Sequence, residues 1–575
     1  MLSASSKIKF RAAPGASAAV LAAIAGLGFA LCVPHQALAG PLPAAAEVAA
    51  YAERLMDEQK LGREGPGVAL LVARGDQLLY KGARGMASIE LGVPLSAEQS
   101  FRIGSVTKQF GAAALLKLVD EGRAKLEDPL SKYLPSYPGG DKITLAQLLN
   151  HSSGIKSYTG IPGYMHNPIR RELSTEQLVA EFKDQPFDFA PGQSWAYNNS
   201  GYVLVGAVVE AISGKPWHQY IDEALLRPQR ISSVRYPGEN ALIKGMVQGY
   251  SGDAASGYTV AGLLSMTQPH AAGALVSDLE GLWRWNQALH GGKLISAESY
   301  KRMTTPEGTA IKSPMRYGFG LGVDSLRGQA MLQHGGGIHG FVSTLNYLPS
   351  SKTTVVALRN SDGPGLAMDL LVRKLGAFAI GEAYPEPKPV QVSAAELSAA
   401  EGVYSLDAKT SRTLRVQGGV LTSTRSGGRP INLIPLGQDQ FAFENSVARL
   451  KIERGADGKA SGLRFFNDGD GAGEAWARSA DLPAAQASVS LTPEQQQALL
   501  GDYASSQLQV KIFLGPQGQL MGQVPGQSAM ELKASGPRIL MVQGVDAKLE
   551  FSAEAAAAQE VTLLQGPARI TMKRR

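Results

Sequence analysis

Cysteine is nearly absent from this chain: Cys32 is the only one in 575 residues. It lies in an N-terminal stretch that reads as a removable leader. The mature protein would then hold no thiol, no disulfide and no thiolate metal site, and must rely on its apolar core. Charge of one sign is scarce as well. The formal net charge of +6 falls to +3 once Lys7, Lys9 and Arg11, the only charged residues of the leader, are removed. That excess is spread evenly and forms no basic stripe, so nucleic acid is not an expected partner. After the leader, no apolar run is long enough to span a bilayer. His334 and His339 stand close in sequence, but neither a His-Glu-x-x-His pattern nor a carboxylate cluster accompanies them. No metal and no other cofactor is expected.

What is present describes a well-buried globular protein, with 44% hydrophobic against 18% charged residues in a chain longer than one core usually supports. Residues 1–39 combine the three cations with an apolar run from Ala16 to Val33 and Ala37-Leu38-Ala39 before Gly40, the pattern of a cleaved secretory signal. A membrane anchor would want a longer run, and a lipoprotein site would want a small residue where Leu31 stands. A periplasmic or secreted protein is the expectation.

Ala44 to Gln59 has helical spacing, and Gly67–Ala73 and Gln77–Arg84 read as strands meeting at Gly75-Asp76. Gln109 to Asp120 is apolar on most sides, which marks a core helix. The stretch from Lys156 to Arg170 is rich in Gly, Pro and Tyr; so long a loop is more often functional than idle. A helix from Tyr202 to Ile212, one capped by Ser277–Glu280, four β-type runs between Phe319 and Arg359 and a helix from Gly365 to Gly381 complete an α+β domain over residues 40–383. Its antiparallel sheet joins strands distant in sequence.

Residues 384–390 are a proline-rich linker. Beyond it the chain repeats at an offset of 99 residues, pairing Gly402-Val-Tyr404 with Gly501-Asp-Tyr503, Leu421 with Leu520, Leu433 with Leu532, Gly437 with Gly536 and Leu450 with Leu549. Two related small all-β domains, residues 391–482 and 483–575, are expected as barrels or sandwiches.

The segment Phe101-Arg-Ile-Gly-Ser-Val-Thr-Lys108 opens the core helix. Three residues make nearly one helical turn, so Ser105 and Lys108 share a face, hydroxyl beside amine. Serine needs a neighbour to take its proton, and lysine serves only if burial holds it neutral. Ser6-x-x-Lys9 and Ser153-x-x-Lys156 show the same spacing by chance; only Ser105 sits at the start of a buried helix, after Gly104. Tyr197-Asn-Asn199 and His334-Gly335-Gly336 are two further candidates, with bland readings of their own: Tyr197 as a core aromatic, Asn199 as a helix cap, His151 as a turn residue.

In order and rough spacing, Ser105-x-x-Lys108, Tyr197-x-Asn199 and His334-x-Gly336 resemble the three active-site motifs of the serine β-lactamase and penicillin-binding protein superfamily. The flanks Leu148–Ile155, Asn198–Tyr202 and His334–Phe341 are similar to its class C β-lactamase-related branch, and the paired β domains to those of D-aminopeptidases. The resemblance implies a β-lactamase/transpeptidase-like fold, an antiparallel sheet with flanking helices and a helical subdomain. It implies Ser105 as nucleophile, Lys108 and Tyr197 sharing the proton traffic, and Asn199, His334 and Gly336 as substrate-binding or supporting residues. The backbone N–H groups of Ser105 and Gly337 would form the oxyanion hole. His334 and Gly335 stand where many family members carry lysine and threonine, which weakens a grip on a substrate carboxylate. The implied activity is hydrolysis of a small peptide or amide with D-residues, carboxypeptidase-like or aminopeptidase-like. The alternatives are a class C-like β-lactamase, a carboxylesterase, or a penicillin-binding sensor that acylates without turnover. The oligomeric state is left open.

Overall fold

The computed structural model describes residues 42–58, 63–238, 241–364, 367–408, 410–482, 489–505, 508–516, 518–524, 529–543, 545–552, 557–565 and 568–575. The leader, with Cys32, lies outside them.

Six strands form one antiparallel sheet: β1 (Val68–Arg74), β2 (Gln77–Arg84), β3 (Gly322–Leu326), β4 (Gln329–Ile338), β5 (Phe341–Leu348) and β6 (Thr353–Arg359), in the order β2-β1-β6-β5-β4-β3. The N-terminal β1 pairs with the C-terminal β6 from Val68↔Arg359 to Arg74↔Thr353, which joins the two ends of the domain. Because side chains alternate along a strand, Val68, Leu70 and Val72 pack with helices α1 (Ala45–Glu58) and α5 (Met368–Ala379) on one face. Ala69, Leu71 and Ala73 join the larger core on the other face. Burial on both sides explains why β1 reads as an unbroken apolar run.

That larger core is built around α2 (Thr107–Asp120), whose residues Thr107 to Leu116 are all buried. It is flanked by α3 (Asn199–Ser213) and α4 (Leu279–His290), with Phe110 stacked on Trp285 at 3.8 Å between ring centroids. The expected helix ends shift slightly. Asn198, not Asn199, caps α3, its side chain accepting from the Gly201 N–H at 2.8 Å. The helix therefore begins before the apolar periodicity that reveals it.

The C-terminal repeat forms two closed eight-stranded barrels, spanning Gly402–Ala480 and Gly501–Arg574. The residues paired by the 99-residue offset share roles. Tyr404 and Tyr503 are both fully buried and donate to the carbonyls of Ala400 and Leu499. Gly437 and Gly536 both sit where the strand register shifts. The segment expected as a linker is anchored at its start. Tyr384 is buried, its hydroxyl bonds Asp468 of the first barrel, and Arg327 spans the joint to Asp470 at 2.6 Å. Leu326, Met331, Leu348, Ala377 and Ile380 pack around it. Among the described residues, no helix is long and apolar enough to cross a membrane.

Candidate active site

Ser105 lies in a 3-10 turn, Gly104–Val106, that runs directly into α2. Gly104 has φ +50°, and a Cβ there would meet the Gly337 backbone nitrogen at 3.0 Å. Left-handed backbone and close approach together require glycine. Lys108 is fully buried, with Nζ 3.1 Å from Ser105 Oγ, 2.8 Å from Asn199 Oδ1 and 2.8 Å from the Ala272 carbonyl oxygen. None of these partners is a carboxylate. Burial alone pushes the amine well below its ordinary pKa.

Tyr197 packs its ring 4.8 Å from Lys108 Nζ. Its hydroxyl is buried without a hydrogen-bond partner among the described residues. Burial pushes the phenol's pKa up, with Ser105 acting against that shift. The hydroxyl therefore keeps its proton at neutral pH. His151, in left-handed backbone at φ 64°, packs its ring 4.4 Å from those of both Tyr197 and Tyr317 in tilted contacts, and its Nδ1 accepts from the Asn198 N–H at 3.2 Å. It orders the turn that carries Tyr197.

Asn199 bonds Lys108 through Oδ1, while its Nδ2 donates to Thr159 Oγ1 at 3.1 Å. His334 is buried behind the cleft wall. Its Nδ1 lies 2.5 Å from the Gly335 carbonyl oxygen and its Nε2 2.7 Å from the Tyr317 hydroxyl. With Nδ1–H donating to the carbonyl, Nε2 accepts from the phenol, which is the neutral tautomer. Burial first, then nearby Lys108, hold its pKa down to about 3. Gly336 is required by proximity, since a Cβ there would fall 2.1 Å from the Ile103 carbonyl oxygen. His334 and Gly336 thus support the wall from behind. Gly337 lies on its surface with Ser105.

The cleft above Ser105 has a volume of about 380 Å³. The long loop after Lys156 supplies Tyr158, Thr159, Met165 and Ile169 to its wall, and Asn199, Ala272, Gly337, Phe341 and Asp362 also line it. Every described lining residue precedes Gly363, so none comes from the barrels.

The Beta-lactamase family matches residues 48–377, more than half of the chain. The chain belongs to the β-lactamase family of serine hydrolases. Among its relatives, a putative penicillin-binding protein of Bacillus subtilis is 28% identical over 294 residues, 51% of this chain and 70% of that protein. A D-aminopeptidase of Brucella ovis is 25% identical over 336 residues, 58% of this chain and 62% of that protein. This member of the family thus spans under two thirds of the Brucella protein's length. The octameric penicillin-binding protein homologue from Pyrococcus abyssi shares the fold at 24% identity and a TM-score of 0.55, over 73% of this chain and 96% of that one.

Several groups in this β-lactamase-family site carry no sequence signal. The Ala272 carbonyl reaches Lys108 because His270, at φ 47°, turns the chain there; its Nε2 is held by Thr175 Oγ1 at 3.1 Å. Tyr317 belongs to no motif, and Thr159 lies in the Lys156–Arg170 loop, whose length marks it as functional without marking that residue. A backbone oxygen and an isolated hydroxyl leave no pattern to find.

Proposed function

We propose that this protein hydrolyses amide bonds of D-amino-acid peptides or amides through an acyl-enzyme on Ser105. The observation that carries this reading is the environment of Lys108. A neutral amine has two N–H groups and one lone pair; the carbonyl oxygens of Asn199 and Ala272 take the two N–H groups. The lone pair is left for the Ser105 hydroxyl at 3.1 Å.

Lys108 accepts the serine proton as Oγ attacks the carbonyl carbon, and the resulting oxyanion sits against the N–H groups of Ser105 and Gly337. The Tyr197 phenol, still protonated, passes a proton to the departing amine and is replenished from Lys108. Water, deprotonated by the same lysine, then attacks the ester, and the lysine returns that proton to Ser105 Oγ as the C–Oγ bond breaks and the acid leaves. This ordering makes Lys108 the base and Tyr197 the relay.

The D-aminopeptidase relative supports the substrate class. The buried, neutral His334 and the absence of Lys or Arg among the described cleft-lining residues argue against substrates held by a carboxylate, the carboxypeptidase and β-lactam classes. Parallel assays on a D-alanyl anilide, a short-chain ester and a chromogenic cephalosporin test the ranking, with the anilide expected first. Turnover of the cephalosporin or ester alone would replace it. The leader-like residues 1–39 support export, tested by whether the mature N-terminus recovered from cells begins at Gly40.

A further inference from the structure

Among the described residues that line the cleft, Asp362 is the one carboxylate, and no Lys or Arg faces it from the same walls. Its Oδ1 accepts from Ser251 Oγ at 2.7 Å and its Oδ2 from the Gly340 N–H at 2.7 Å. A carboxylate has about four acceptor positions, so two are unused. Arg359, the cation of the same segment, donates to the backbone oxygens of Gly363 at 2.8 Å and Pro364 at 3.4 Å. Among the described residues no cation forms a salt bridge with Asp362, Arg359 acting on it only through space, and Asp362 is exposed. The cleft walls are otherwise largely apolar, with Met165, Ile169, Leu264, Ile338 and Phe341 among them.

We infer that Asp362 selects substrates carrying a positive charge on the acyl half, an ammonium group about one residue beyond the scissile carbonyl. The cleft runs from Ser105 past Gly337 and along Ile338 and His339 to Asp362. Gly340, which holds the carboxylate, is three residues beyond Gly337 across the β4–β5 turn. Three residues of chain span at most about 10 Å, so the Gly340 N–H that holds the acid lies within that distance of the oxyanion N–H of Gly337. That is the reach of the N-terminus of an uncapped dipeptidyl group, with apolar side chains against the surrounding wall. His339, on the same cleft lining, donates Nδ1–H to the Gly262 carbonyl oxygen at 3.0 Å, which anchors the turn beside Gly340. The inference rests on the proposed hydrolase reading for the placement of the acyl half, but it concerns binding and is measured without turnover.

Full-length protein carrying Ser105→Ala is titrated calorimetrically with glycyl-D-alanine p-nitroanilide and with its N-acetyl analogue. The free amine should bind about tenfold more tightly, the scale of one partly exposed charge-assisted contact. Adding Asp362→Asn should bring the ratio close to one without changing the affinity of the acetylated ligand, and Asp362→Glu should restore it. Equal binding of the two ligands, or a ratio that survives Asp362→Asn in a protein with unaltered melting temperature, overturns the inference. Failure of Ser105 to acylate in the wild type would instead remove the hydrolase reading and leave a charge-selective cleft standing.

Discussion

Gly336→Ala is the sharpest perturbation the site offers, because the added methyl group points at the turn that carries the nucleophile. A Cβ there would sit 2.1 Å from the Ile103 carbonyl oxygen and 2.3 Å from Ser343 Oγ, where real contacts essentially never fall under 3.0 Å. The Ser343 hydroxyl, which donates to the same carbonyl at 2.7 Å, must also move. Strand β4 therefore retreats by about 1 Å from the turn, and Gly337 moves with it relative to Ser105. Misplacement of that size typically costs about 10²-fold in rate, and overpacking a buried contact costs about 1–3 kcal/mol of stability. Gly335→Ala is the control, since its Cβ meets nothing closer than 3.7 Å. Time-resolved labelling of Ser105 by a serine-directed fluorophosphonate should be slowed about 10²-fold in Gly336→Ala and stay near wild type in Gly335→Ala. Equal labelling of Gly336→Ala and wild type, or equal slowing of both variants, would refute the role assigned to the close approach.

Four further outcomes rest on the contacts of the site and of the barrel joint. The acylation rate should rise with pH and level off below the ordinary lysine value of 10.5, because Lys108 must lose its proton to act; a profile that still climbs through 10.5 contradicts a depressed amine. The linked stability has a definite sign: between the folded pKa and 10.5 the unfolded chain binds the extra proton, so unfolding free energy from denaturant titrations should increase with pH there. Tyr317→Phe removes the donor to His334 Nε2 and leaves a buried acceptor unpaired, which should cost about 1–3 kcal/mol by urea unfolding. Tyr384→Ala at the barrel joint should lower the melting temperature while the ranking of anilide, ester and cephalosporin stays fixed; a changed ranking would make the barrels part of the substrate cleft.

The sequence carries most of the fold where structure repeats or alternates. The 99-residue offset is legible because the paired positions do the same physical work in both barrels, down to the capping boxes of Ser393 with Glu396 and Thr492 with Gln495. The sheet is legible as short β runs, and its closure of β1 against β6 follows from strands left at opposite ends of one domain. Ser105, Lys108, Tyr197 and Asn199 are brought together as their motifs suggest. What stays hidden is of two kinds. Backbone groups such as the Ala272 carbonyl have no side-chain identity to read. The joint at Tyr384 is masked by composition, since a run of prolines looks like a free spacer whether or not the tyrosine before it is buried.

The most direct measurement is intact-protein mass spectrometry, with peptide mapping, after exposure to the fluorophosphonate. One adduct per chain, carried by Ser105 and lost in Ser105→Ala, is the expected result. An adduct on another residue, or labelling that persists in Ser105→Ala, would contradict the assignment of this hydroxyl, activated by a buried neutral lysine, as the nucleophile.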